Sequence, residues 1–151
     1  MKKISLKNKR VFVAGHNGLV GKSLCKKLEL EKSKLLVVDK KTLDLRDRNK
    51  TKIWLKSNKP DYIFIAAARV GGILENSLFP ADFIYDNLSI AANLIHLSYK
   101  NKIKKILYLG SSCIYPKFAK QPIREEALLT GKLEPTNEWY EIGRASCRER
   151  V

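Results

Sequence analysis

The 151-residue sequence predicts an α/β fold built on a doubly wound parallel sheet. Three observations carry that expectation. Short apolar runs alternate with amphipathic stretches in the order β-α-β-α-β-α-β. The runs are nearly continuous in apolar residues instead of alternating with polar ones, as strands buried on both faces are. A glycine-rich turn separates the first run from the first amphipathic stretch. Right-handed crossovers then give an open sheet that binds ligands at the C-terminal ends of its strands.

The elements follow in order. Arg10-Val-Phe-Val-Ala14 is a β-branched run that stops at Gly15 and predicts the first strand. Asn17 to Glu31 places Leu19, Val20, Leu24, Leu28 and Leu30 at helical spacing, with charges between them. Lys34-Leu-Leu-Val-Val38 predicts the second strand. Asn49 to Ser57, with Ile53, Trp54 and Leu55, predicts a short helix stopped by Asn58 and Pro60. Asp61-Tyr-Ile-Phe-Ile-Ala66 predicts the third strand. Pro80 to Tyr99 predicts a long helix with an apolar stripe of Phe83, Ile84, Leu88, Ala91, Ala92, Ile95 and Leu97, and Pro80 suits its first turn. Lys105-Ile-Leu-Tyr-Leu109 predicts the fourth strand. Residues 116 to 137 hold three of the five prolines and read as an irregular surface stretch before a final helix.

Composition bounds the function. A 44% hydrophobic, 30% charged chain can fill a globular core and is not disordered, collagenous or membrane-embedded. Its length suits one domain and is too short for a catalytic domain plus a substrate domain. The apolar run Ile63 to Ala68 covers six residues, far short of a membrane span. Lys2 and Lys3 are followed by Ser5, Lys7, Asn8, Lys9 and Arg10, so no apolar signal core forms. Cys25, Cys113 and Cys147 make an odd set without metal-ligand spacing, the pattern of reduced thiols in a cytoplasmic protein, so no metal is expected. Lysine supplies 22 of the 30 basic residues behind the net charge of +15, scattered with no block of five or six. That reads as a solvated surface and not a nucleic-acid face, although a positive field would also draw in a phosphorylated substrate.

Gly15-His-Asn-Gly18-Leu-Val-Gly21 lies between the first strand and the first helix, where a dinucleotide-binding turn belongs. Gly15 permits the tight turn, Gly18 lets backbone amides approach a pyrophosphate, and Gly21 lets helix and strand pack closely. An ordinary βα turn is the plainer alternative, and the surrounding βαβ unit favours cofactor binding. His16 and Asn17 read as loop residues with phosphate or ribose contacts.

The G-x-x-G-x-x-G spacing resembles that of the extended short-chain dehydrogenase/reductases, which bind NAD or NADP. Asp44-Leu45 after the second strand resembles the pair that holds the adenine ring. Ala66-Ala67-Ala68 closes the third strand where that family lines the cofactor. Leu109-Gly110-Ser111-Ser112 follows the fourth, and Tyr140 stands 29 residues after Ser111, as the family's Ser and Tyr do. Four longer blocks narrow the resemblance: Ala66-Ala-Ala-Arg-Val-Gly-Gly-Ile73, Pro80-Ala-Asp-Phe-Ile-Tyr85, Leu109-Gly-Ser-Ser-Cys-Ile-Tyr-Pro-Lys117 and Leu133-Glu-Pro-Thr-Asn-Glu138. Over residues 10 to 140 the chain resembles the GDP-L-fucose synthase family. The resemblance implies a Rossmann-type NAD(P)-binding domain over residues 1–140, cut off before the last strands and the substrate domain.

It further implies 3,5-epimerisation of GDP-4-keto-6-deoxy-D-mannose and NADPH-dependent reduction at C4, in a homodimer that uses neither nucleic acid nor a membrane. Cys113 corresponds to the family's proton-transferring cysteine, and an ordinary thiol titrates at about pH 8.5, close enough to neutrality to exchange protons. Without that context Cys113 would read as a small buried filler, and Cys25 as a packing residue. Ser111 would polarise the C4 ketone, and Tyr140 would donate a proton to its oxygen as hydride arrives. A tyrosine needs a nearby cation to do so, and here Arg144 stands where the family has lysine. Asp39 ends the second strand, where a carboxylate bonds a ribose 2′-hydroxyl and repels a 2′-phosphate. Lys40 and Lys41 could supply the basic pocket that NADP needs, and NADP is expected ahead of NAD. Residues 141–151 contain no lysine and look like the in-frame translation of a common sequencing adapter, so a non-native tail is expected there. Another nucleotide-sugar epimerase or dehydratase, a non-catalytic dinucleotide-binding fragment and a basic nucleic-acid binder are the competing readings. Cys113 in Ser-Ser-Cys-Ile-Tyr-Pro argues against the first.

Overall fold

The computed structural model describes residues 4–135. Its elements are β1 (Arg10–Ala14), α1 (Leu19–Leu30), β2 (Lys34–Leu36), α2 (Arg48–Asn58), β3 (Tyr62–Ile65), α3 (Ile73–Leu78), α4 (Pro80–Lys100) and β4 (Lys105–Tyr108). Two short 3-10 turns follow at Ser112–Ile114 and Glu125–Ala127. The chain divides into two compact units. One contains the residues up to 68 together with 89–109, and the other contains 69–88 with the described residues from 110 onward.

The first unit holds the sheet. Its four strands are parallel in the order β2-β1-β3-β4. The chain leaves β1 toward β2 on one side and later returns to β3 on the other, so the winding reverses beside β1. In such sheets that reversal opens the ligand crevice at the C-terminal strand ends. β1 shows why a continuous apolar run was needed. Val11 and Val13 pack with Leu28, Leu24 and Cys25 of α1 on one face. Phe12 and Ala14 pack on the other face with Leu55 of α2, Ile63 and Ile65 of β3, and Leu94 and Leu97 of α4. Phe12 also meets the Trp54 ring at 4.4 Å between centroids. Each fully buried side chain of this size stabilises the fold by about 1.5–3 kcal/mol.

The sheet order is the Rossmann-type arrangement expected, with several corrections to its details. β2 stops at Leu36 and not Val38, because its register with β1 ends at Phe12↔Leu36. The backbone then turns so that the Asp39 carbonyl accepts from the amides of Thr42 and Leu43 at 3.0 and 2.9 Å. α3 was not expected at all. On α4 the buried stripe includes Leu94, which was missed, while Ala92 is exposed. Leu19, Val20 and Leu30 of α1 are exposed although their spacing suggested a buried stripe. All three longer helices are followed by a lysine in the left-handed region, Lys32 (φ 56°), Lys59 (φ 45°) and Lys102 (φ 54°), where glycine is the usual residue.

Candidate functional site

The glycine turn closes the C-terminal end of β1. Gly15 has φ +88°, and a Cβ there would lie 2.6 Å from the Ala67 amide nitrogen and 2.8 Å from the Ala66 carbonyl carbon. A side chain at Gly21 would overlap the Gly15 carbonyl oxygen and sit 2.7 Å from the His16 Cα. These two glycines let the turn, the first coil of α1 and the end of β3 come together in one place. Gly18 is the N-cap of α1, and no side chain caps that helix. α2 differs, because the Asp47 carboxylate there accepts from the Lys50 amide at 2.9 Å. The first turn of α1, beginning at exposed Leu19 and Val20, thus has no side-chain cap, the arrangement in which a helix N-terminus can receive an anion. A tight turn, a close helix and an uncapped N-terminus fit a dinucleotide pyrophosphate.

The end of β2 adds a second feature. Asn17 Nδ2 donates to Asp39 Oδ1 at 2.6 Å. His16 Nε2 lies 3.6 Å from the same oxygen. Lys40 and Lys41 are exposed in the turn that follows. Beyond them, Asp44 accepts from the Arg46 Nε and amide at 3.0 Å each, and chiefly the guanidinium bond holds its carboxyl below the usual carboxylate range. The carbonyls of Leu45 and Arg46 each accept from Asn93 Nδ2 at 2.9 Å. Asn93 is buried on α4, so that helix fixes the backbone at Leu45 and Arg46, next to Asp44.

In the second unit, buried Asn87 grips the backbone of Arg69 from both sides. The Arg69 amide donates to Asn87 Oδ1 at 2.8 Å, and Asn87 Nδ2 donates to the Arg69 carbonyl at 3.1 Å. The Arg69 guanidinium lies 3.3 Å from Asp86, 3.4 Å from Asp82 and 4.8 Å from the Phe83 ring centre. Asn76, also buried, donates to the carbonyls of Gly71 and Gly72 at 3.1 Å each. The Arg69–Gly72 strap is thus fixed by amide side chains. Farther along, Ser111 Oγ accepts from the Cys113 amide at 3.3 Å and caps the 3-10 turn. That places the hydroxyl and the thiol on one turn. Cys113 is free and exposed, so the buried-filler reading does not apply to it. Cys25 is the packing thiol: burial, with the Glu29 charge as a smaller cause, pushes it up.

The structure brings Gly15, His16, Asn17, Gly18, Gly21, Asp39, Ala66 and Ala67 together in the first unit, which also contains Asp44, Leu45, Ala68 and Leu109. It brings Ser111, Ser112 and Cys113 together in the second, beside Gly110 in the chain. Tyr140, Arg144 and Cys147 lie outside the described residues. The sequence reading missed Asn76, Asn87 and Asn93. A signal existed for two of them: Asn87 and Asn93 are amides interleaved with the buried Phe83, Ala91, Leu94 and Leu97 of α4. Among the described residues, no group of His, Cys and acidic side chains is arranged to hold a metal ion, and no helix is long and apolar enough to cross a membrane.

The model of the NAD dependent epimerase/dehydratase family matches residues 11–148. The GDP-L-fucose synthase of Sinorhizobium fredii (strain NBRC 101917 / NGR234) is 52% identical over 139 residues, covering 92% of this chain and 44% of that protein. The GDP-L-fucose synthase of Escherichia coli (strain K12) is 46% identical over 140 residues, with 92% and 44% covered. A GDP-mannoheptose C4 reductase from Campylobacter jejuni, solved with NADP bound, superposes with a TM-score of 0.88 at 34% identity, covering 93% of this chain and 45% of that one. The chain spans less than half the length of these relatives.

Proposed function

Because this chain belongs to the NAD dependent epimerase/dehydratase family, we propose that it is the cofactor-binding part of a GDP-L-fucose synthase. In this reading the enzyme epimerises GDP-4-keto-6-deoxy-D-mannose at C3 and C5 and then reduces C4 with NADPH. The observation that carries the reading is 52% identity to a GDP-L-fucose synthase over 139 residues. The uncapped α1 and the glycine contacts support the cofactor half of it.

Gly15, Gly18, Leu19, Val20 and Gly21 would hold the pyrophosphate, Asp39, Lys40 and Lys41 the ribose end, Asp44 and Leu45 the adenine, and Ala66, Ala67, Ala68, Leu109, Gly110, Ser111 and Ser112 would line the rest of the cofactor. When bound, the nicotinamide supplies hydride to C4. The remaining chemistry falls to side chains. A ketone at C4 acidifies the protons on C3 and C5, so a base that removes each proton and an acid that returns one to the opposite face epimerise both centres through an enolate. The exposed thiol of Cys113 is one of these two proton-transferring groups. Ser111 Oγ accepts from the Cys113 amide, which leaves its own proton to donate to the ketone oxygen. Tyr140 then gives a proton to the C4 oxygen. The reading carries with it a homodimer and a cytoplasmic location, both resting on the family resemblance.

A chimera joining residues 1–140 of this chain to the C-terminal part of the Sinorhizobium fredii relative tests the reading. It is expected to consume NADPH with GDP-4-keto-6-deoxy-D-mannose and to incorporate solvent deuterium at C3 and C5. Cys113→Ser should abolish the deuterium uptake while NADPH still binds. Unchanged uptake in that variant removes Cys113 from the mechanism, and a folded chimera with no NADPH consumption overturns the reading.

A further inference from the structure

We propose that the N-terminal edge of the parallel sheet, the end opposite the glycine turn, binds the phosphate backbone of a single-stranded nucleic acid. The proposal is independent of the cofactor reading and uses none of its residues.

The topology builds this surface. All four strands are parallel, so the residues that open them share one edge. Arg10 and Lys34 stand in register at the starts of β1 and β2. The Asp61 amide donates to the Arg10 carbonyl, and the Lys104 amide donates to the Asp61 carbonyl, which carries the row on to β4. Lys9 and Lys105 adjoin it in the chain, and the Lys34 amide donates to the Lys9 carbonyl at 2.8 Å. Lys34, Lys104 and Lys105 are exposed, and Lys9 and Arg10 are partly so. The carboxylate in the row, Asp61, has a side chain only 22% exposed. On the same side, at the end of α1, are Glu29 and Glu31, and Glu31 already faces Lys27 at 3.6 Å. The cations of the row come from positions 9 to 105, so their scatter along the sequence conceals a cluster that only the fold assembles.

Neighbouring strands lie about 4.8 Å apart, so a row across four of them spans about 14 Å. Over that length a nucleic-acid strand presents about three or four phosphates. Lys32, Lys59 and Lys102 end helices on the same side, but each opposes the negative pole of its helix and is left out of the row. Tyr99 supplies a second feature. It lies in the last turn of α4, where its carbonyl accepts from the Lys102 amide at 3.0 Å, and it is 71% exposed. Lys100 Nζ lies 5.9 Å from the centre of its ring. Single-stranded nucleic acid exploits an exposed ring at the same end as a row of cations: its phosphates meet the charges while a base stacks on the ring. An acidic peptide or a lipid headgroup would use the charges and leave Tyr99 without a role.

Fluorescence anisotropy of a labelled oligouridylate of about 12 nucleotides tests this on the 151-residue chain, with circular dichroism checking that each variant is folded. Affinity should fall with salt on a log–log slope of about −2, as when about three phosphates of a single strand are neutralised. Lys9→Glu, Lys34→Glu and Lys105→Glu together spare the Asp61 contacts, and should weaken binding about tenfold or more and flatten that slope. Lys26→Glu, Lys52→Glu and Lys120→Glu together make the same change of charge at other exposed sites. They should weaken binding no more than about threefold. Glutamine at positions 9, 34 and 105 halves the change of charge, should lose about threefold, and serves if charge reversal prevents folding. Tyr99→Ala should cost about fivefold at low and high salt alike, because stacking releases no counterions. Excess NADPH should leave the binding unchanged. Equal losses in the two reversal variants, no binding at low salt, displacement by NADPH, or equally tight capture of polyglutamate or phosphatidylserine vesicles overturns the proposal. The cofactor reading stands in each case.

Discussion

The two ends of the parallel sheet are finished in opposite ways. At the N-terminal end, Asp61 knots three strands together. Its amide donates to the Arg10 carbonyl at 2.7 Å, its carboxylate accepts from the Arg10 amide at 2.9 Å, and the Lys104 ammonium lies 3.4 Å away. The Lys104 amide closes the set by donating to the Asp61 carbonyl at 3.1 Å. At the C-terminal end, Gly15 and Gly21 make room for close backbone approach, and α1 begins without a side-chain cap. One end is tied by the contacts of a charged side chain, and the other begins a helix with no side-chain cap. Stability and binding should therefore respond separately to changes at the two ends.

The largest effect is expected from Gly21→Ala. A methyl group would overlap the Gly15 carbonyl, so the turn must shift at a cost of about 1–3 kcal/mol or more. NADPH binding, read by fluorescence titration, should drop below detection, and urea unfolding should register the lost stability. Asp61→Asn should do the reverse. Weakening a charge-assisted set of bonds should cost about 1–2 kcal/mol in urea unfolding while NADPH affinity stays within twofold. Persistent binding in the glycine variant, or lost binding in the Asp61 variant, would break the contrast between the ends.

Acid sharpens the same comparison. The Arg10 amide chiefly holds the Asp61 carboxyl below the usual range, Arg46 does so for Asp44, and the Lys50 amide does so for Asp47. A carboxyl with a depressed folded value contributes stability that is full above the unfolded value, about 3.9, and fades as pH falls through the lower folded value. Thermal midpoints should hold steady at pH 5–7 and decline below about pH 4, less steeply in Asp61→Asn. A decline of equal slope in that variant would remove Asp61 from the acid response. The smallest effect belongs to the open end: Lys40→Ala with Lys41→Ala should weaken NADPH roughly tenfold, leave NADH nearly unchanged and leave stability untouched. Equal weakening of both nucleotides would take the two lysines out of 2′-phosphate recognition.

How much of this was legible in the sequence follows from the kind of signal involved. β1 announces itself because burial on both faces requires a continuous apolar run, β3 and β4 because they keep that run although Leu107 of β4 is exposed, and the glycine turn because tight backbone geometry restricts residue choice. α3 gives no such signal: Ile73, Leu74 and Leu78 are exposed, so no buried period marks the helix. The short β2 depends on where its neighbour stops pairing, a non-local fact that Val37 and Val38 conceal. The amide clamps at Asn76, Asn87 and Asn93 act on backbone carbonyls and amides, which carry no residue identity to read. The Asn17–Asp39 bond joins two residues each recognisable as ribose or phosphate contacts, but only the fold shows that they bind one another.

The left-handed lysines after α1, α2 and α4 bear on the chain's chemistry as a polyelectrolyte. A non-glycine residue in that conformation costs about 1–2 kcal/mol, and a cation at the carbonyl end of a helix regains part of it through the dipole. Three of the 22 lysines therefore stand where a backbone demand meets a helix pole, with no surface ligand implied. An isoelectric point near 9.8 can thus accumulate from how helices are ended as well as from what the surface attracts. Titrating such a chain with polyanions would measure its punctuation as much as its recognition.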